Sequence, residues 1–433
     1  MSQTPAPDQS PYAPAPDTTT VTANPHDGRT TFRPLRLGLA LFIGGALWVG
    51  PFYAYNAVLI PARLEQIAPA DKVGLIAMIA ITGSLVAMFA NIIFGALSDL
   101  TRSRFGRRAP WMILGSAGAS ASLFVLLSSE STTVVVFSWM AFQMFLNAIA
   151  APLIATLAER VPKARRGTYS AIYGVGVLIG VFGSQIAASF FTTDPTTGMA
   201  IFAVIVLLAG PVVVLISPEK SNLNQPRQSF SVRMIADNFS FPRHGARDYY
   251  FALFGKLLVI LGAYSLSGYQ LYILTDYMGQ TLAEAGGTMA MMGIIQLGTA
   301  LVFGAISGPI SDRIGRRKPL VIGSAILIAL ASLLPFFVVE PWAMLVYALV
   351  GGTGLGIFNS VDQALNTEVL PNIDNAAKDL GILNMATTGG QILGPGLTSS
   401  IVGITGGYAP VFIVATGIAT LSTLLIVPIR SVR

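Results

Sequence analysis

"GALSDLTRSRFGRR" (residues 95–108) closes a long apolar run with an aspartate and then four arginines, and "GPISDRIGRRK" (308–318) repeats the pattern much later. The run before the first copy, residues 73–97, is long enough to cross a bilayer core, which takes about 20 apolar residues in a helix. The whole chain shares that character. Of its 433 residues 53% are hydrophobic and only 11% charged, where a water-facing surface needs about a quarter. The chain therefore reads as an integral membrane protein. It has no cysteine, which excludes disulfides and thiolate chemistry.

Residues 1–33 are rich in Pro, Thr, Ala and Asp with almost no large aliphatics and read as a disordered tail. They lack the short apolar core of a cleavable signal, so the first apolar stretch is expected to remain as a span. Twelve stretches qualify, near residues 36–60, 73–97, 110–128, 132–158, 167–192, 197–217, 249–274, 285–310, 319–338, 342–369, 377–403 and 408–429. The longest polar connection, 218–248, divides six from six. The expected fold is thus an all-α membrane protein of twelve transmembrane helices in two pseudo-symmetric six-helix bundles, residues 34–217 and 249–433, joined by a cytoplasmic central loop at 218–248.

The basic residues orient it. With a cytoplasmic N-terminus, the inner loops collect Arg102, Arg104, Arg107, Arg108, then Arg160, Lys163, Arg165, Arg166, then the central loop, then Arg313, Arg316, Arg317 and Lys318. Of 26 basic residues only Arg63 and Lys72 fall on the outer side, where Glu65, Asp71, Glu130, Asp194, Asp276, Glu284 and Glu340 lie. This predicts a multi-pass plasma-membrane protein with both termini cytoplasmic. The net charge of +6 is topological and does not argue for nucleic acid.

The two halves repeat. Gly95 to Asp99 matches Gly308 to Asp312 at an offset of 213, with Gly-Arg-Arg after both. "AYNAVLI" (54–60) matches "GYQLYIL" (268–274) at 214, pairing Tyr55 with Tyr269 and Asn56 with Gln270. Glu159 to Pro162 falls on Glu368 to Pro371 at 209. Two similar bundles in one membrane suggest a site between them that opens to each side in turn.

The repeated G-x-x-x-D with G-R-R after the second and eighth spans resembles the signature of the major facilitator superfamily, across essentially the whole chain after residue 33. "SDLTRSRFGRRAPW" (98–111), "VDQALNTEVLP" (361–371) and "KDLGILN" (378–384) are similar to the branch of sucrose/proton symporters and, more distantly, glycoside-pentoside-hexuronide cation symporters. Leu100 departs from the usual basic residue after the aspartate, so a partner for Asp99 must come from Arg102, Arg104 or another helix. The resemblance implies that Asp99, Arg107, Arg108 and Glu159, with Asp312, Arg316, Arg317 and Glu368, form a cytoplasmic charge gate that holds the outward-open state. Read from the residues alone, they are equally ordinary helix-end charges, which contribute little at a wet surface.

Asp362 differs from the other acids, which fall in loops, tails or helix ends. It lies nine residues before Pro371, about 13 Å inside the cytoplasmic boundary at 1.5 Å per residue. An ionisable group at that depth needs a cavity or a partner. Lys256 lies at comparable depth on the seventh span, and the resemblance implies that the first and fourth helices of each half meet around the cavity. Asp362 paired with Lys256 is the expected proton-coupling site. A permanent structural ion pair, or Lys256 snorkelling to the interface, stays open. His26 and His244 fall in the tail and central loop, so no histidine relay is expected in the bundle.

Polar groups within the spans point to the cargo. Tyr53, Tyr55 and Asn56 cluster on the first span, Gln143 and Asn147 share a face of the fourth, and Tyr169 and Tyr173 share one on the fifth. Tyr269, Gln270 and Tyr272 follow on the seventh, Asn359 and Gln363 on the tenth, and Asn384 and Gln391 on the eleventh. Neutral amides hydrogen-bond hydroxyls and aromatic rings stack on sugar faces, which suits an uncharged polyol. Amides and tyrosines also join membrane helices to each other, so part of the set is open to that reading.

The expected function is a proton-coupled symporter of a neutral sugar or glycoside, acting as a monomer by alternating access. A proton-coupled exporter of a drug or metabolite is the alternative, for which Met289, Met291 and Met292 leave room. No metal cluster, nucleophile elbow or phosphate loop stands in the sequence, so an enzyme is not expected and no cofactor is called for.

Overall fold

The computed structural model describes residues 34–224, 242, 246–370 and 376–429, with all their side chains except those of 163, 363, 376 and 377. The N-terminal tail, most of the central loop, both histidines and Pro371 lie outside the described residues. A backbone crossing lipid must satisfy its own polar groups. The described residues accordingly form helices and no strands.

Among the described residues twelve helical spans run in order. They are α1 (Pro34–Ile67), α2 (Lys72–Leu100), α3 (Ala109–Leu127), α4 (Thr132–Arg160), α5 (Arg166–Ser189), α6 (Pro195–Ile216), α7 (Arg247–Ser267), α8 (Leu282–Ile314), α9 (Lys318–Phe337), α10 (Pro341–Glu368), α11 (Ala376–Thr405) and α12 (Ala409–Ile426). Eleven are long and apolar enough to cross a membrane by length and composition. The exception is α11, which at 30 residues is long enough but too polar. Its Asn384, Thr388 and Gln391 face an internal cavity instead of lipid, so the sequence's eleventh stretch spans despite its composition.

The repeated motif has a backbone cause. Gly315 ends α8 with φ +62°, and Gly106 in the loop after α2 takes φ +88°. Only glycine enters that region without strain. Pro110 and Pro319 then start α3 and α9 where a missing N–H costs nothing. The Gly-Arg-Arg of each copy is therefore a tight connection into a new helix.

Within the first half α1 packs on α5 and α6, α3 on α4 and α6, and α2 on α4. Within the second, α7 packs on α11 and α12, α8 on α10, and α9 on α10 and α12. The halves meet through α2 with α11 and α5 with α8. Glycine sets several of these approaches. A methyl on Gly210 of α6 would overlap the Met112 carbonyl of α3, and one on Gly176 of α5 would overlap the Phe42 carbonyl of α1. Gly210→Ala is expected to push α6 off α3 and cost about 1–3 kcal/mol, the range for overpacking, read as a lower thermal midpoint in detergent. An unchanged midpoint would show that the contact yields.

One apolar cluster joins both halves at the acidic end, including Tyr55, Leu59, Trp139 and Phe142 with Tyr269, Tyr272, Met289 and Phe412. Toward the arginine-rich end the core splits. One cluster there belongs to the second half, around Tyr249, Phe358 and Leu365, and another to the first, around Leu41, Leu153 and Tyr169.

Candidate functional site

Two adjoining cavities lie between the halves. The larger, about 700 Å³, is bounded by α1, α2 and α4 on one side and α11 on the other. The smaller, about 450 Å³, is bounded chiefly by α1 and α5 of the first half and α7, α8 and α10 of the second. Both volumes suit a small molecule. Tyr53 lines both, and its hydroxyl meets that of Tyr264 at 3.2 Å, so a hydrogen bond between halves partitions the space. Glycines record how the space opens. On α8, Gly286 and Gly293 press against Ser189, Thr192 and Ile186 of the first half, whereas Gly304 of α8 and Gly174 of α5, both in the wall of the smaller cavity, have no neighbour against them. Contacts between the halves gather at the acidic end, where one apolar cluster bridges them, while toward the arginine-rich end each half has a cluster of its own.

The structure brings part of the expected cargo set together. Gln143, Asn147, Asn384 and Gln391 line the larger cavity, Gln270 and Asn359 the smaller. The Asn147 side-chain amide donates to the Gln143 carbonyl at 2.9 Å, and its Oδ1 accepts from Asn91 at 3.1 Å. Asn91 was absent from the expected set, as were Gln185, Gln296, Tyr264 and Lys378, which also line the space. The amide pattern was a sufficient signal for Asn91, Gln185 and Gln296.

Several other expected cargo residues lie outside both cavity walls. Tyr55 is fully buried, its ring stacked near Trp139 and Phe142 and its hydroxyl donating to the Met199 carbonyl at 2.8 Å. Tyr269 is as deeply buried and reaches the carbonyls of Val73 (3.1 Å) and Pro395 (3.0 Å). Tyr272 donates to the Pro61 carbonyl at 2.9 Å. A buried phenol needs an acceptor, and here backbone supplies it; the repeated Tyr55 and Tyr269 line neither cavity. Tyr173 accepts from the Trp48 indole at 3.1 Å and lines neither cavity. Asn56, half-buried in the π-turn Tyr55–Leu59, lines neither. The side chain of Gln363 lies outside the described residues. Of the three methionines considered for an export cavity, Met289 and Met292 are fully buried and Met291 is exposed, and none lines either space.

Lys256 and Asp362 meet. The ammonium lies 2.7 Å from Asp362 Oδ2, with the two residues only 5% and 6% exposed. The Asn366 amide donates to the same oxygen at 2.8 Å. Lys256 also points at Asn384 Oδ1, 3.5 Å away, and Asn384 is part of the cavity wall. The pair thus stands directly behind the lining. Removing two charges from water costs more than their attraction returns unless further hydrogen bonds help, and the two asparagines supply them.

At the arginine-rich end each half carries its own charge cluster. Arg108 pairs with Asp99 at 2.7 Å and with Glu159, and donates to Ser98 Oγ at 2.6 Å. Arg107 reaches Glu159 at 2.5 Å. In the second half Arg317 holds Glu368 at 2.9 Å, with Asp312 at 3.9 Å. Arg316 is exposed instead of joining the cluster. The partner of Asp99 is therefore neither Arg102 nor Arg104. Arg102 bonds the Leu223 carbonyl and Arg104 lies over the Phe105 ring.

The clusters differ in burial, with Arg108 at 2% exposure and Arg317 at 26%. The start of the central connection covers the first. Glu219 accepts from the Arg108 backbone N–H at 2.9 Å, and Asn222 bonds Thr101 and Ser103. Burial pushes the Glu219 carboxyl above the ordinary glutamate range, while the Arg108 N–H, Arg160 and the Arg108 charge pull it down.

At the acidic end the halves are clasped. Lys72 of α2 sits 2.6 Å from Glu65 of its own half and 2.8 Å from Asp276 of the other, 4.7 Å above the centre of the Tyr272 ring. Thr192 adds a hydrogen bond to the Leu282 carbonyl at 2.8 Å. The sequence showed Lys72 as a rare cation among outer acids but gave no reason to pair it across the halves.

The model of the Major Facilitator Superfamily matches residues 37–307 and 252–433. The chain belongs to the major facilitator superfamily. Its fold is similar to a solved structure of a point mutant of the nucleoside transporter NupG, with a TM-score of 0.75 at 15% identity over 91% of this chain and 99% of that one. It is also similar to a point mutant of the peptide transporter POT, with a TM-score of 0.73 at 14% identity over 90% and 93%. A bacterial homologue of the human lysosomal transporter Spinster, in an inward-facing and unoccupied conformation, gives a TM-score of 0.65 at 13% identity over 92% and 99%. Comparison with curated proteins returned no match.

The Lys72 clasp ties the two halves of this superfamily member together at the acidic end. The chain's lack of cysteine makes single-cysteine labelling straightforward. With a reporter at Gln391→Cys, Lys72→Ala is expected to speed modification by an impermeant maleimide added at the acidic face about fivefold, the shift that corresponds to about 1 kcal/mol at a half-wet site. An unchanged rate would mean that the helix contacts alone keep this mouth shut.

Proposed function

We propose that the protein is a proton-coupled symporter of a neutral sugar or glycoside, described here with its cavity open to the arginine-rich side. The lysine and arginine bias reads that side as cytoplasm. The observation that carries the proposal is the buried Lys256–Asp362 pair standing behind a cavity walled by Asn91, Gln143, Asn147, Asn384 and Gln391. Such amides exchange both donors and acceptors with hydroxyls. Trp48 and Phe52 in the same wall offer faces for an apolar ring surface. Lys378 is the charged residue among the described lining, and it lies 3.8 Å from Asp379.

Asp362 serves as the coupling carboxylate. When the halves rock, Lys256 on α7 and Asp362 on α10 shift relative to each other, and a carboxylate deprived of its cation in a dry site takes up a proton. On this reading the clusters around Arg108 and Arg317 engage the opposite half once the arginine-rich mouth closes, and hold the outward-open state.

The smaller cavity supports a second reading. Val175, Leu178, Phe182, Leu301 and Leu355 make much of its wall apolar, which suits export of a lipophilic metabolite or drug in exchange for protons. Proteoliposomes decide between the two. Uptake from a panel of labelled mono- and disaccharides, driven by an inward proton gradient, is expected under the first reading. No sugar uptake, together with gradient-driven extrusion of a lipophilic cation, would replace it with the second.

A further inference from the structure

Among the described residues, Asn384 belongs both to the cavity wall and to the surroundings of the buried ion pair: it lines the larger cavity, and its Oδ1 faces Lys256 at 3.5 Å. We infer that Asn384 is the positioning residue through which cargo in the cavity controls protonation of Asp362. The inference rests on the symport reading above.

The geometry supplies a sign. Lys256 is held by Asp362 at 2.7 Å and only loosely by Asn384. A cargo hydroxyl oxygen that accepts from Asn384 Nδ2 polarises the amide and makes Oδ1 a stronger acceptor. Lys256 then moves toward Oδ1 and away from Asp362. The carboxylate takes a proton from a hydronium ion in the cavity, one O–H bond forming as one hydronium O–H bond breaks to leave water, and keeps the Asn366 hydrogen bond at its other lone pairs. When cargo leaves, Oδ1 weakens, Lys256 returns and the proton goes back to water. Cargo and proton therefore bind together and leave together, as symport requires.

The other ionisable groups nearby have partners of their own. Tyr249 of α7 donates to the Asp379 carbonyl at 2.8 Å, Lys378 faces the Asp379 carboxylate at 3.8 Å, and Glu368 of α10 is held by Arg317. From α12, Ile426 packs on Gly255 beside Lys256 and adds no charge. Asn366 touches Asp362 but is not part of either cavity wall.

The test measures protons per sugar. Full-length protein in liposomes loaded with a pH dye receives sucrose, maltose, lactose or methyl glucoside, and lumenal pH and labelled sugar are followed together. Asn384→Ala and the milder Asn384→Ser are expected to lose most of the proton movement per sugar moved, and to flatten the pH profile of uptake. Gln391→Ala, in the same wall and about two turns along α11 from Asn384, is expected to raise the half-saturation concentration and leave the proton-to-sugar ratio at the wild-type value. An unchanged ratio in both Asn384 variants overturns the inference, whatever happens to affinity. If wild type moves no protons with any of these sugars, the symport reading fails, and the relay fails with it.

Discussion

Asp362→Asn is expected to abolish accumulation of sugar against its gradient while leaving exchange of labelled for unlabelled sugar across the membrane measurable. Under the proposed coupling an amide cannot take up the proton, so the cycle loses its driving ion, but exchange needs no net protonation. The substitution also leaves Lys256 buried without its counter-charge, and breaking a buried pair from one side costs about 3–5 kcal/mol. A poor yield of the single variant would therefore say little about coupling. The double variant Lys256→Met with Asp362→Asn separates the two roles, because replacing both partners removes the uncompensated charge. It is expected to recover the thermal midpoint and to remain unable to concentrate sugar. Recovery of accumulation along with stability would make the pair a structural fixture and move proton coupling elsewhere.

Arg108→Gln should lower stability more than Arg317→Gln, although the two arginines occupy equivalent places in the repeat. Arg108 is almost fully buried and holds Asp99, Glu159 and Ser98 together under the strap from Ser217 to Asn224. Arg317 is a quarter exposed with one close carboxylate. Losing charge-assisted bonds in the buried cluster costs about 2–3 kcal/mol, reduced by Arg107, which keeps a contact with Glu159. The exposed cluster is screened by water and contributes at most about 1 kcal/mol. Thermal unfolding of both variants in detergent is the measurement. Equal shifts would show that the strap does not shield the first cluster.

Much of the architecture was legible in the chain because bilayer crossing writes itself into composition. Spans, their division into halves and the motif glycines follow from local demands: backbone satisfaction in lipid, and a left-handed turn at Gly315 that few other residues tolerate. The buried carboxylate was legible too, since an aspartate deep in an apolar helix is costly enough to be noticed. The tyrosines divide. Tyr53 and Tyr55 stand two residues apart, yet one lines both cavities and the other is sealed against Trp139. Which face of a helix meets water, lipid or a neighbour depends on the rotation of all helices together, and nothing in a tyrosine or an amide records it.

The sequence by itself determined that this is a membrane protein built of two related helical halves, with arginines gathered at one end and an acidic residue placed at depth. The pairing of Lys256 with Asp362 was expected from depth and from the resemblance, with other readings left open, and the two groups meet at 2.7 Å. Only the tertiary structure decided that Asn384 connects this pair to the cavity and that Lys72 clasps the acidic mouth. The reason is distance along the chain: 128 residues separate Lys256 from Asn384 and 204 separate Lys72 from Asp276. Local preferences act within a few residues, whereas such contacts exist only once two bundles have packed around a shared space.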